Sequence, residues 1–198
     1  MLFEHDGKRP VIADSAYVAP NAVVCGDVRI GRDCRVLFGA VLVADGGPVA
    51  LGDSCVVTEN ALIRGRSAHP AQIGDRVLIG PHAHLDGTTV DSDVFIATGA
   101  SLFPGSRVET GSEVRINAVV HVNTRLVTGT TVPIGWIAVG DPAELFDASR
   151  HDEYWPVLKE LDFPKTLFGA SRDDLTMEKM TAIYKELFGR HREDVRLD

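Results

Sequence analysis

The sequence predicts a mainly β fold, a left-handed parallel β-helix of hexapeptide repeats followed by C-terminal α-helices, and three observations carry that prediction. An aliphatic residue recurs every six positions with a small or β-branched residue two places before it. Glycines and aspartates punctuate the repeats where tight bends are needed. Beyond Leu145 the apolar period becomes that of a helix. Residues two apart on a strand share a face, so the aliphatic and its small partner point inward. Each hexad then supplies one short strand, and three hexads make one triangular coil. An interior filled this way leaves only the outer surface for chemistry.

Residues 1 to 10 read as an extended lead-in turning at Asp6-Gly7. The inward column then runs Val18, Val24, Ile30, Val36 and Leu42, with Ala16, Ala22, Val28, Cys34 and Ala40 two places before each. Corners at Gly26-Asp27, Gly31-Arg32-Asp33 and Gly52-Asp53 need a permissive backbone or a side chain that caps it. The step lengthens to nine between Leu42 and Leu51 and to ten between Ile63 and Ile73, which predicts two loops bulging from the surface. Counting strands modulo three places Leu42, Ile63, Leu85, Leu102 and Val122 on one face, so both loops leave from one edge. The most regular stretch, from Gly74 to Leu102, carries Ile79, Leu85, Val90, Ile96 and Leu102 inward. After Val108 an eight-residue step reaches Ile116, the last coil closes near Val122, and Val132 to Glu144 leaves the helix with Pro142 at the boundary.

The expected organisation is a left-handed β-helix domain over 1–145 and a helical appendage over 146–198. Ser149 to Asp152 resembles a capping box ahead of a stripe of Trp155, Leu158 and Leu161. A longer helix is expected from about Leu175 to Phe188, with Met180, Ile183, Tyr184, Leu187 and Phe188 on one face covering the side of the β-helix or a neighbouring subunit.

A chain of 198 residues has room for one sizeable core plus such an appendage. Net charge −8, with no run of Lys or Arg, argues against nucleic acid and against an anionic membrane surface. Small molecules or other protein chains are the expected partners. The opening MLFEHDGKRP has no apolar core of a signal peptide and no later stretch is long enough to span a bilayer, so a cytoplasmic protein is expected. Three cysteines do not make a disulfide framework, and Cys34 and Cys55 fall where the repeat wants a small inward residue.

The repeat, the two long steps and the ending VGDPAE together resemble the γ-class carbonic anhydrase family of hexapeptide-repeat proteins over roughly residues 10 to 145. The resemblance implies a homotrimer with a zinc ion at each subunit interface. Three histidines hold it, two of them in a segment of the form I-G-H-x-A-x-L-H-G, and an R-G-D triplet one coil earlier supports it. Here that segment reads Ile79 to Gly87 with Pro81 and Asp86 at the histidine positions, and Arg64 stands at the third. The triplet reads Val43-Ala44-Asp45, a family glutamine is Thr58, and the acid beside it is kept as Glu59. The resemblance therefore implies a divergent member without the zinc-ligand histidines.

Asp45, Glu59, Arg64 and Asp86 are the candidate pocket residues between subunits. Arg64 and Asp86 each follow the inward aliphatic of consecutive coils, so they should stack about 4.8 Å apart and form a bidentate salt bridge. His82 and His84, two apart and outward, with His121 two coils further along the same face, are candidate ligands of a displaced zinc. His84 and His121 would lie about 9.6 Å apart along the axis, so a neighbouring subunit would have to complete the site. Hydrogen-bonding histidines or an acid/base histidine are the other readings of the three. His5, His151 and His191 carry no readable signal.

Three functions compete. A carbonic anhydrase with shifted zinc would make hydroxide from bound water, oriented by Asp45 or Glu59. An acyltransferase using an acyl-coenzyme A would take His82 or His84 as base and Arg64 or Arg66 for phosphate. A non-catalytic homotrimer, binding a small ligand or a partner, is the reading that the loss of all three ligand positions favours.

Overall fold

The computed structural model describes residues 1–198. Its strands stack into three walls, one sheet of ten strands and two of seven, with parallel pairing from each coil to the next. In the ten-stranded wall Leu42 lies opposite Ile63, Ile63 opposite Leu85, Leu85 opposite Leu102 and Leu102 opposite Val120. All five are fully buried, and the matching columns of the other walls complete one continuous core. The left-handed β-helix with C-terminal helices is the fold observed. The three cysteines are free and buried.

The repeat persists further than its aliphatic residues alone suggest. Val114, not Ile116, is the next inward residue after Val108; Ile116 is 44% exposed. Val120 replaces Val122 in the column, and Thr131–Val132 and Ile137–Val139 remain rungs of the walls instead of leaving them. The chain departs only after Val139, through a hairpin that lays Glu144–Phe146 antiparallel on Ile137–Val139. The small partners here are polar: Ser106, Ser112 and Thr124 are buried. Hydroxyls at this position satisfy themselves on neighbouring turns, as Thr88 does with Ser106 at 2.8 Å. A count of apolar residues therefore loses the phase.

The two long steps do not bulge as loops. They lengthen the strands Val41–Asp45 and Leu62–Arg66, which pair along all five residues. Close approach at their ends requires glycine: a Cβ on Gly65 would lie 2.3 Å from the carbonyl oxygen of Gly47. The residues left over close a tight turn in which Arg66 and His69 exchange backbone hydrogen bonds.

Helix α1 spans His151–Glu160, α2 Phe163–Phe168 and α3 Met177–Gly189. The expected capping box at α1 is absent, because the Ser149 hydroxyl donates to Asp147 instead. Tyr154 rather than Trp155 is the buried residue of α1, packed on Val139 and Phe146. Thr176 caps α3 by accepting from the backbone N–H of Lys179. Helix α3 sets Phe188 against the β-helix, with the Arg64 guanidinium 5.4 Å from its ring centroid. The chain then turns through Arg190–Glu193, and Val195–Arg196 pairs antiparallel with Leu2–Glu4, adding a last strand to the ten-stranded wall. No helix is long and apolar enough to cross a membrane.

Candidate functional site

Along the ten-stranded wall, residues that flank the inward column face outward, and between the strand Val23–Cys25 and His84–Asp86 they collect charge. Asp45 is 3% and Asp86 2% exposed. Arg64 does lie opposite Asp86 in register, but the two do not pair. Arg66 takes Asp86 instead, through Nε and Nη2 at 2.7 Å each. Arg64 Nε lies 2.8 Å from Asp45 Oδ2, its N–H turned off the line so that it makes no hydrogen bond. The pairs are diagonal because the lengthened strand carries a second arginine two places on, on the same face. Burial opposes the charge on Arg66, and the Asp86 carboxylate more than offsets it, leaving the guanidinium harder to deprotonate than usual.

Glu59 stands apart, exposed at a corner and without an ion pair. The three candidate histidines do not converge either. His82 is an exposed corner residue with φ of 57° rather than a strand neighbour of His84, because the chain bends there. Phe103 lies between His84 and His121, with its ring centroid 6.1 Å from each, and Phe163 of α2 covers His121. His84 Nε2 and His121 Nδ1 are buried without hydrogen-bond partners. Burial lowers the pKa of both imidazoles, that of His121 to about 4. Within one chain these three histidines cannot share a metal ion.

A second cluster, unread in the sequence, joins this one through Asp45. His191 Nε2 lies 2.8 Å from Asp45 Oδ1, and its Nδ1 lies 2.8 Å from Asp194 Oδ2. His5 Nδ1 lies 2.6 Å from Asp194 Oδ1, and the Cys25 thiol donates to Asp194 Oδ2 at 3.4 Å. Burial lowers and these carboxylates raise the pKa of His191, with a net rise. Burial and the neighbouring Asp194 push the Cys25 thiol up to about 12. Beside the cluster a cleft of about 420 Å³ runs under Phe188, with Phe3, Val23 and Val41 as its apolar walls and Arg64 at its polar end. The signal that assembles this cluster is not local: His5 and Asp194 are 189 positions apart.

No family model matches the chain. Gamma carbonic anhydrase 1, mitochondrial, of Arabidopsis thaliana is 38% identical over 152 residues, covering 74% of this chain and 53% of that protein. The chain is a homologue of the gamma carbonic anhydrases. Gamma carbonic anhydrase 2 of the same plant is 33% identical over 152 residues, covering 74% of this chain and 52% of that one. This gamma carbonic anhydrase homologue thus spans about half the length of those curated relatives. The carbonic anhydrase of Geobacillus kaustophilus is 27% identical over 111 residues, covering 56% of this chain and 61% of its own. Among solved structures, the Francisella novicida UDP-N-acetylglucosamine acyltransferase overlays 96% of this chain and 85% of its own, at 15% identity and a TM-score of 0.48.

The positions that the resemblance assigns to zinc do not fit a metal in this homologue. Arg64 is a permanent cation, Pro81 has no side-chain donor, and both oxygens of Asp86 are engaged by Arg66.

Proposed function

We propose that this gamma carbonic anhydrase homologue is a non-catalytic homotrimer that does not hydrate CO2 and binds a small ligand in the cleft beneath Phe188. The observation that carries this reading is the occupation of the ligand positions. At residue 86, which the resemblance gives to a zinc ligand, Arg66 and Asp86 neutralise one another in a buried bidentate pair, which leaves that carboxylate no free oxygen to offer a metal. Two features support the rest. The cleft joins apolar walls to a few polar groups at one end, the usual make-up of a small-molecule site. Leu78, Ile116 and Ile134, 42%, 44% and 64% exposed, line one hollow on the outer surface that a neighbouring subunit would cover.

Light scattering is expected to give a trimer, and stopped-flow CO2 hydration no rate above buffer. A hydration rate that disappears in His84→Ala would overturn the reading. The converse test rebuilds the site: Arg64→His, Pro81→His and Asp86→His, together with Arg66→Met to remove the stranded guanidinium, are expected to add one bound zinc per chain over whatever the unaltered chain holds. A folded variant that gains none would break the residue correspondence on which the reading rests.

A further inference from the structure

His5, Cys25, His191 and Asp194 come from different parts of the chain, and one donor atom from each lies within 4.8 Å of the other three. None is a position the resemblance assigns to metal. His5 and Cys25 are 4% and 3% exposed. Asp194 stands at the centre of the group, its two oxygens facing both imidazoles and the thiol. The rings of His5 and His191 stack with centroids 4.4 Å apart. On each ring the nitrogen turned away from the group faces a further carboxylate: His191 Nε2 meets Asp45 Oδ1 at 2.8 Å, and His5 Nε2 lies 3.5 Å from Asp6 Oδ2.

We propose that these four side chains bind one zinc ion through Cys25 Sγ, His5 Nδ1, His191 Nδ1 and an Asp194 oxygen, clasping the returning tail to the first strands of the β-helix. Zinc takes four sulfur, nitrogen and oxygen donors in a tetrahedron at about 2.0 to 2.3 Å, which sets neighbouring donors about 3.3 to 3.8 Å apart. To reach that spacing the widest pairs of a group now within 4.8 Å would close, while the two imidazole nitrogens, now 2.6 and 2.8 Å from Asp194, would exchange those hydrogen bonds for the metal and move slightly apart from it. A thiolate and a carboxylate with two neutral imidazoles cancel the charge of a divalent cation, so the filled site carries none into the interior. The mixed soft and borderline donor set does not suit magnesium or calcium, which take oxygen.

The surroundings complete the arrangement. A carboxylate behind each ligating imidazole, here Asp45 and Asp6, is the outer shell that fixes ring orientation at metal sites. Arg64 and Arg190 in turn hold those two carboxylates. Arg64, at a position the resemblance gives to a zinc ligand, is thus one carboxylate removed from this site. Four protein donors leave no place for a reacting water, so the ion is structural. This inference is independent of whether the chain hydrates CO2.

The test uses the full untagged chain, stripped with chelator and titrated with Co2+ and then Zn2+. One Co2+ per chain is expected, with a sulfur-to-cobalt charge-transfer band and the visible bands of tetrahedral cobalt, all displaced by zinc. Cys25→Ser is expected to lose the charge-transfer band, and His191→Ala to weaken zinc binding by on the order of 100-fold. His84→Ala, which alters a residue outside the group, is expected to change neither. An unaltered chain that takes up no cobalt, or a charge-transfer band that survives in Cys25→Ser, would overturn the proposal. Because the readout is spectroscopic, its failure would leave the functional reading untouched, and a CO2 hydration rate would sink that reading without moving this one.

Discussion

The inner and outer faces of the ten-stranded wall are built from the same strands and obey different rules. Inward, Leu42, Ile63, Leu85, Leu102 and Val120 repeat one another, each fully buried against the next. Outward, between the same residues, stand Val43, Asp45, Arg64, Arg66, His84 and Asp86, and no two rungs are alike. Stacking of identical coils demands repetition only where side chains fill a shared interior. On the outer side each residue answers to whatever is laid across it, here the tail that follows α3. Sensitivity to single substitutions is therefore spread evenly over the inner face and concentrated at a few charged points on the outer.

The largest expected effect lies on the outer face. Asp86→Leu strands Arg66, whose side chain is only 12% exposed, and should cost about 3 to 5 kcal/mol in urea unfolding. Adding Arg66→Met should restore most of that loss, since replacing both partners of a buried pair is close to neutral. If the single and double variants unfold at the same midpoint, the pair is not what holds that face. On the inner face Ile63→Ala should cost about 2 to 5 kcal/mol, and Leu85→Ala a similar amount, because each removes fully buried methylenes from the same column. A large disparity between these two would contradict an evenly shared interior.

Smaller is Gly65→Ala, where the added Cβ meets the carbonyl oxygens of Gly47 and Pro48 at 2.3 and 2.4 Å. A loss of about 1 to 3 kcal/mol is expected, since backbone cannot move aside cheaply. Smallest is a pH effect. The pKa of His121 is lowered to about 4 in the folded chain against about 6.5 unfolded, so between these values the unfolded chain binds more protons. Its contribution to stability is complete above pH 6.5, is lost as the pH falls toward 4, and is flat below that. His121→Leu should reduce the slope of stability against pH in that window by about one proton, measured by urea unfolding at a series of pH values. An unchanged slope would mean that His121 is more hydrated than its packing against Phe103 and Phe163 indicates.

The interior was legible because its signal is local and repeated. Where Ser112 and Thr124 took the small inward places, the hexad was lost, although a buried hydroxyl that finds a neighbouring carbonyl satisfies the repeat as well as a methyl does. The outer face was half legible. Arg64 and Asp86 were placed opposite one another, as they are, but register gives only the spacing of two backbones. Which guanidinium reaches which carboxylate depended on two further residues of strand and on Arg66. Glu59 was marked by the family resemblance and stands exposed at a corner, while His82, His84 and His121 were marked by their nearness in the repeat, and the corner at His82 and the ring of Phe103 separate them.

What the amino-acid sequence determined by itself is the β-helix, since it follows from residue identity at short, regular intervals. Only the tertiary structure decided that Arg64 pairs with Asp45 and Arg66 with Asp86, and that the tail returns His191 and Asp194 to His5 and Cys25. Contacts across nearly the whole length of the chain leave no periodic trace, because they depend on where the chain turns after α3 and not on which residues precede it.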